Sequence, residues 1–443
     1  MLSKIKLAIE KLDILSKSKP IKIISHYDTD GITSAAIFSR AMQRWNKKFS
    51  IQIVKGLEEN FIKSLPEDQI LIFLDLASGN LNNLKEKNTE IFIFDHHEVI
   101  QQVPSNVTLI NPLLESPSEK LSGAAVCYLF AKTLSEKNKD LANLAIIGTV
   151  GDLLEKEIGK FYQEILNDSE ATIKKGLLLY PSTRPIDKVL EYSSNPYLPG
   201  ITGSPGEILE LLKDAGITRV GNTYKSLHEL TEKEMSNLIT SMMLHGCLKE
   251  RDAHQIIGNL YLIKFFNKLE DARELSALIN ACSRMDYPQI SLGFCLGIKS
   301  CKEKAKKIYV EYKQQIISAL KYVSGIEKIS GKSYLIINAK DNIKDTIIGT
   351  IASILSHSPV YNEGTIIVAL AYNEDKIKVS ARITGHDKEK NRNVREVLNR
   401  VVVPLGGEVG GHPNAAGCLI SKEKENKFIE ELRRELEIEL VKV

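Results

Sequence analysis

The sequence predicts an α/β protein: a doubly wound parallel sheet first, a mostly helical insert second, and an α+β domain last. Three observations carry that prediction. Between residues 20 and 112, apolar runs of strand-forming residues alternate with segments of helical spacing, the pattern of βα units. From 155 to 325 the spacing is mostly helical, and from 333 onward strands return, two of them joined across Glu374-Asp375. At 443 residues the chain is too long for one core, so domains are expected at 1–160, 161–325 and 326–443.

Composition excludes several classes. Apolar content of 43% and charged content of 26% describe a globular protein rather than a disordered one. No apolar run approaches the roughly 20 residues that span a bilayer, so no membrane partner is expected. The six cysteines (Cys127, Cys247, Cys282, Cys295, Cys301, Cys418) lack CxxC spacing and indicate neither zinc nor a disulfide framework, which implies cytoplasmic residence. A net charge of +3 gives no whole-molecule signal for nucleic acid, although a local basic groove is compatible with it.

Taken in order, residues 1–17 repeat as an amphipathic helix without a signal-peptide cleavage site. The strand 21–26 runs into His26-Tyr27-Asp28-Thr29-Asp30-Gly31 and then a helix. One Asp would suffice as a helix cap; two carboxylates with a His beside them suit a hard divalent cation. Strands follow at 49–54, at 70–74 before Asp75, at 91–94 before Asp95-His96-His97, and at 107–112. Asp75 alone reads more commonly as a helix cap. The Asp-His-His stretch reads as a polar loop or as a metal site at a strand's carboxyl end, where open α/β sheets place their ligands. A nearly all-apolar helix over 141–153 carries Asp152 in its last turn, a buried charge that needs a partner.

In the insert, Ser204-Pro205-Gly206-Glu207 and Thr231 with Glu234 predict capping boxes, and Asn195 to Gly200 predicts a loop or hinge. Helices are expected over 269–286 and 301–323; the lysines of the second read as a solvated face or, less favoured, a nucleic-acid contact. The last domain is expected to hold a strand at 333–339, a helix at 345–357 and a hairpin over 365–383. A glycine-rich stretch around His412, with Gly410 and Gly411, would let backbone N–H groups approach an anion, and Arg382 would add a bidentate phosphate contact.

His26-Tyr27-Asp28-Thr29-Asp30-Gly31, Asp75, Asp95-His96-His97, Asp152 and the distal GGHPNAAG at 410–417 resemble, in order and spacing, the DHH phosphoesterases with a DHHA1 domain. The likeness covers about residues 20–155 and 325–425. RELSALINACSRMD with SLGFCLG, and the HxDxDG form of the first motif, resemble the archaeal RecJ-like exonucleases. Bacterial RecJ differs in having Asp at the position of His26 and in carrying an OB-fold not visible here.

The resemblance implies two divalent cations bridged by Asp75, with Asp28 and His26 on one ion and Asp30, His96 and Asp152 on the other. Nitrogen donors among oxygens favour Mn²⁺, with Mg²⁺ as the alternative. It further implies that His97 contacts the phosphoryl group or orients water and that Asp95 fixes His96. Arg382, Gly410, Gly411 and His412 would hold substrate phosphate across an interdomain cleft. The expected activity is an exonuclease on single-stranded DNA or RNA releasing mononucleotides, with a replication or repair protein as partner. Alternatives are a phosphodiesterase of short oligoribonucleotides or other small nucleotides, and a replisome or repair scaffold.

Overall fold

The computed structural model describes the chain except residues 157, 180, 194–195, 249–255, 359, 386–391 and 442–443. It divides into two compact units, one of residues 1–174 with 259–310, the other of 175–258 with 311–443. The stretch expected as a separate insert, 161–325, is thus shared between the two units. No helix among the described residues is long and apolar enough to cross a membrane.

In the first unit, helix α1 (Leu2–Leu15) precedes strand β1 (Ile21–His26) and helix α2 (Thr29–Arg44). Strands β2 (Phe49–Val54), β3 (Ile70–Leu74), β4 (Ile91–Phe94) and β5 (Val107–Ile110) complete the sheet. The spatial order is β2-β1-β3-β4-β5 with every pair parallel. Every residue of β3 and β4 is fully buried, as a parallel sheet covered on both faces requires. Each such Ile, Leu or Phe contributes roughly 1.5–3 kcal/mol relative to exposure. The fifth strand stops at Ile110, two residues short of expectation, because Asn111 turns inward and caps the 3-10 turn that Pro112 begins.

Helices α3 (Gly123–Leu134) and α4 (Ala142–Gly151) pack on α2, and Phe38, Phe94 and Phe130 meet between helices and sheet at centroid separations of 4.8–5.1 Å. Helix α5 (Ala272–Arg284) returns from far along the chain to pack on α2 and α4. Just before it, Ile257–Phe265 pairs antiparallel with Lys268–Asp271 in a hairpin that helical spacing did not predict. Phe266 and Asn267, both with positive φ, form its two-residue turn.

In the second unit, residues 177–248 build a helical core around Leu190, Leu211, Leu212, Leu238 and Met242. The Thr231–Glu234 capping box forms as expected, but Ser204 makes no side-chain cap, leaving Pro205 as the start signal of that helix. Asn195 lies outside the described residues; Pro196 to Gly200 forms a turn.

The same unit holds a mixed sheet of six strands: β6 (Ile329–Gly331), β7 (Tyr334–Asn338), β8 (Ile366–Asn373), β9 (Lys376–Ile383), β10 (Val409–His412) and β11 (Ala415–Ser421). Their spatial order is β6-β7-β8-β9-β11-β10. Helix α6 (Asp345–Ser356) packs against β8 and β9. Helices α7 (Val394–Val402) and α8 (Glu425–Val441) close a separate core with Val368, Val379 and Phe428.

Candidate active site

Strand order reverses between β1 and β3, the switch point at which an open α/β sheet forms its ligand crevice. Register levels the strand ends there. Ser25 pairs with Leu74 and Leu74 with Phe94, so His26, Asp75 and Asp95 each stand one residue beyond a paired row.

Three donor groups contain Asp75. Two hold the expected ligands, His26, Asp28 and Asp75 in one and Asp30, Asp75, His96 and Asp152 in the other; the third is Asp75, Asp95, His96 and His97, and ligand atoms in each group lie within 4.8 Å of one another. His26 Nδ1 lies 3.0 Å from Asp28 Oδ2 and 3.6 Å from Asp75 Oδ2. His96 Nε2 lies 3.2 Å from Asp75 Oδ1 and 3.1 Å from Asp152 Oδ2. None of these contacts has hydrogen-bond alignment: His26 Nδ1, His96 Nε2 and Asp75 Oδ1 are buried without hydrogen-bond partners. Donor atoms that converge on a common point rather than on each other fit a cation.

Local structure explains how the carboxylates are held. Asp28 caps α2 with Oδ1, accepting from Gly31 N at 3.0 Å, which leaves Oδ2 for the cluster. Cap and cluster thus use different oxygens of one residue. Asp30 is fully buried at the N-terminus of α3, where Gly123 N (2.5 Å) and Ala124 N (2.9 Å) donate to it. A Cβ on Gly148 would lie 2.5 Å from Asp30 Oδ1, so glycine is required there. Gly148 was not among the expected site residues; its signal in the sequence is a Gly inside an apolar helix. Asp75 has φ +58° and Ala77 φ +90°, a left-handed turn that for Ala77 costs roughly 1–3 kcal/mol.

Charge is crowded. Burial, then the charges of Asp75 and Asp152, push the Asp30 carboxyl well above its ordinary value. Burial opposes protonation of His26 and His96, yet the surrounding carboxylates raise both to about 11. Alone, the chain balances its carboxylates with protons; divalent cations would carry the same balancing charge.

The structure changes one expected pairing. Asp95, fully buried, accepts from the His97 ring Nδ1 at 2.7 Å and touches His96 only through its backbone N–H at 2.8 Å. His96 is instead turned into the cluster. Burial acts to raise the Asp95 carboxyl, but His97 and the Ser78 hydrogen bonds hold it well below the usual carboxylate range. His97 is 57% exposed, and Asn111 Nδ2 donates to its carbonyl at 2.9 Å.

In the second unit, register sets Arg382 opposite Ala415 and Ala415 opposite His412, so all three share one face. Arg382 and His412 are two strands apart, about 10 Å. Arg382 Nε donates to Ser353 Oγ at 3.0 Å. Gly411 has φ +114°, and a Cβ there would lie 2.4 Å from Ala415 O; Gly410 faces open space.

Residues 20–149 match the DHH family, N-terminal domain, residues 179–260 the DHH-CID domain and residues 331–437 the DHHA1 domain. An uncharacterized Methanocaldococcus jannaschii protein is 28% identical over 95% of this chain and 94% of its own. A Bacillus subtilis SPbeta prophage protein named as a single-strand DNA-specific exonuclease, YorK, is 24% identical over 93% of this chain but 65% of its own length. A crystal structure of exonuclease RecJ bound to manganese superposes with a TM-score of 0.61 at 16% identity, covering 97% of this chain and 92% of that one. Fold, site and domains together define a phosphoesterase. The chain carries DHH and DHHA1 domains and is homologous to the RecJ-like single-strand exonucleases.

Proposed function

We propose that the protein is a two-metal exonuclease that hydrolyses single-stranded DNA, or RNA, to mononucleotides. The observation that carries this reading is that Asp75 belongs at once to the His26–Asp28 group and to the Asp30–His96–Asp152 group, since a carboxylate common to two donor groups can hold two cations close together, as paired-metal phosphodiester chemistry uses them. Cations held there, Mn²⁺ in preference to Mg²⁺, supply Lewis-acid polarisation of the phosphodiester and an activated water. His26, Asp28 and Asp75 would hold one; Asp30, Asp75, His96 and Asp152 the other.

The chain's own residues do the rest. Asp95 fixes the His97 ring and favours its protonated form, so His97 presents an N–H to a phosphoryl oxygen or to water. Arg382, His412 and the N–H groups of Gly410 and Gly411 bind substrate phosphate. Residues 1–160 then carry the chemistry, 161–325 connect, and 326–443 bind. All six cysteines are free thiols, which supports a cytoplasmic setting.

Timed digestion of single-stranded DNA and RNA oligonucleotides, labelled at either end, with Mn²⁺ and with EDTA, tests the proposal. Metal-dependent release of mononucleotides from long strands is expected. Cleavage confined to substrates of a few nucleotides would replace it with the small-nucleotide phosphodiesterase, and no cleavage with any divalent metal would leave a scaffold.

A further inference from the structure

Helix α5 is more than 240 positions from the Asp28–Asp30 loop in sequence, lies outside all three matched domains, and meets that loop at the site. Thr29, between the two carboxylates, donates its N–H to Asn280 Oδ1 at 3.2 Å and its hydroxyl to the Ser276 carbonyl at 2.9 Å. Gly151, immediately before Asp152, packs at the same point: a Cβ on it would lie 2.9 Å from Thr29 Cβ and 3.2 Å from Ser276 Oγ. One turn earlier on α5, Arg273 forms a buried ion pair with Glu155, three residues after Asp152, and Tyr261 Oη donates to the Glu155 carbonyl at 2.9 Å.

Arg273, Ser276 and Asn280 stand at i, i+3 and i+7, one face of one helix. That face touches the segments that deliver Asp28 and Asp30 from one side and Asp152 from the other. We propose that this face of α5 is a positioning clamp that sets the spacing of Asp28 and Asp30 against Asp152, and so tunes metal affinity.

The proposal rests on the two-metal reading. Metal–ligand distances tolerate only about 0.2 Å, so a contact that fixes the backbone between two ligands acts on affinity without touching an ion. Groups that orient metal ligands commonly change affinity by about 10–100-fold when removed. A contact that merely packed the helix would lower the unfolding temperature and leave affinity alone.

The test uses the full chain and Mn²⁺ alone, with binding measured by isothermal titration calorimetry. Asn280→Leu, which removes the acceptor facing Thr29, should weaken Mn²⁺ binding by about 10–100-fold. Asn280→Asp, which keeps an acceptor oxygen, should recover most of the loss. If Asn280→Leu does not fold by circular dichroism, the neutral pair Glu155→Gln with Arg273→Met answers on the same readout and should also weaken binding. Asp75→Ala runs in parallel. Wild-type affinity in the folded α5 variants, with Asp75→Ala having lost it, overturns the clamp alone. Wild-type affinity in Asp75→Ala overturns the two-metal reading and the clamp with it.

Discussion

The two large sheets of this protein use their residues in opposite ways. In the parallel sheet, β3 and β4 are buried along their whole length, and chemistry begins only at the residue where each strand ends. In the mixed sheet, Arg382 and His412 sit within or at the end of strands, on a shared face, beside exposed glycines. The difference teaches where charge can be placed. Carboxylates driven into a low-dielectric crevice raise one another's proton affinity and call for a cation. Arg382, on a partly buried sheet face, needs no such compensation and is held instead by neutral acceptors, Ser353 Oγ and the Ala381 carbonyl.

The largest expected effect lies in the first sheet. Asp75→Asn keeps the size and the left-handed turn but removes the charge shared by the donor groups. Hydrolysis of a single-stranded oligonucleotide should fall about a thousandfold or more, roughly 4 kcal/mol of transition-state stabilisation. Residual activity within tenfold of wild type would remove Asp75 from the centre of the mechanism.

One substitution made in both regions sharpens the contrast. Gly148→Ala forces a Cβ against Asp30 and should cost about 1–3 kcal/mol of stability, with weaker metal binding. Gly410→Ala meets nothing within 4 Å and should unfold within about 0.5 kcal/mol of wild type. Urea midpoints that rank the two the other way would show that the crevice is loosely packed.

Arg382→Ala should raise KM about tenfold and leave kcat nearly unchanged, the signature of lost ground-state binding. Arg382→Lys should not restore KM, because an ammonium cannot make the planar two-pronged contact. A fall in kcat alone would move Arg382 from substrate binding to chemistry.

The smallest effect is a pH-dependent one, away from both sheets. Glu234 is hydrogen-bonded first by Lys225 and then by the Thr231 backbone, which lowers it from 4.5 to about 2. A depressed carboxylate contributes stability that is present above its unfolded value and lost as pH falls from about 4.5 toward about 2. Glu234→Gln should cost about 1 kcal/mol or less at pH 7, the scale of a helix cap. It should also lose less stability than wild type between pH 5 and pH 3, a window chosen to straddle the unfolded value of 4.5. Parallel acid limbs in denaturant titrations would contradict that assignment.

Some features were legible in the residues because they depend on near neighbours in the chain. Apolar runs closed by Asp75 or by Asp95-His96-His97 announced buried strands with polar ends, and Thr231 with Glu234 announced a cap that forms. Ser204 with Glu207 had the same signature and does not cap, since a motif permits a hydrogen bond but the backbone around it must supply the angle. The hairpin before α5 was missed because its apolar residues sit where helical spacing was also satisfied, and only pairing with a second strand decided the matter.

By itself, then, the sequence determined the parallel sheet of the first unit and named the His and Asp side chains that gather at the β1/β3 switch point. Periodicity and strand-end chemistry are local properties, readable over a few residues. Only the tertiary structure decided that Asp95 holds His97 rather than His96, that Asp28 divides its two oxygens between cap and cluster, and that Asn280 fastens Thr29 from across the chain. Those choices turn on ring rotation, on which oxygen faces which donor, and on contacts between residues hundreds of positions apart, and such distances do not exist until the chain has folded.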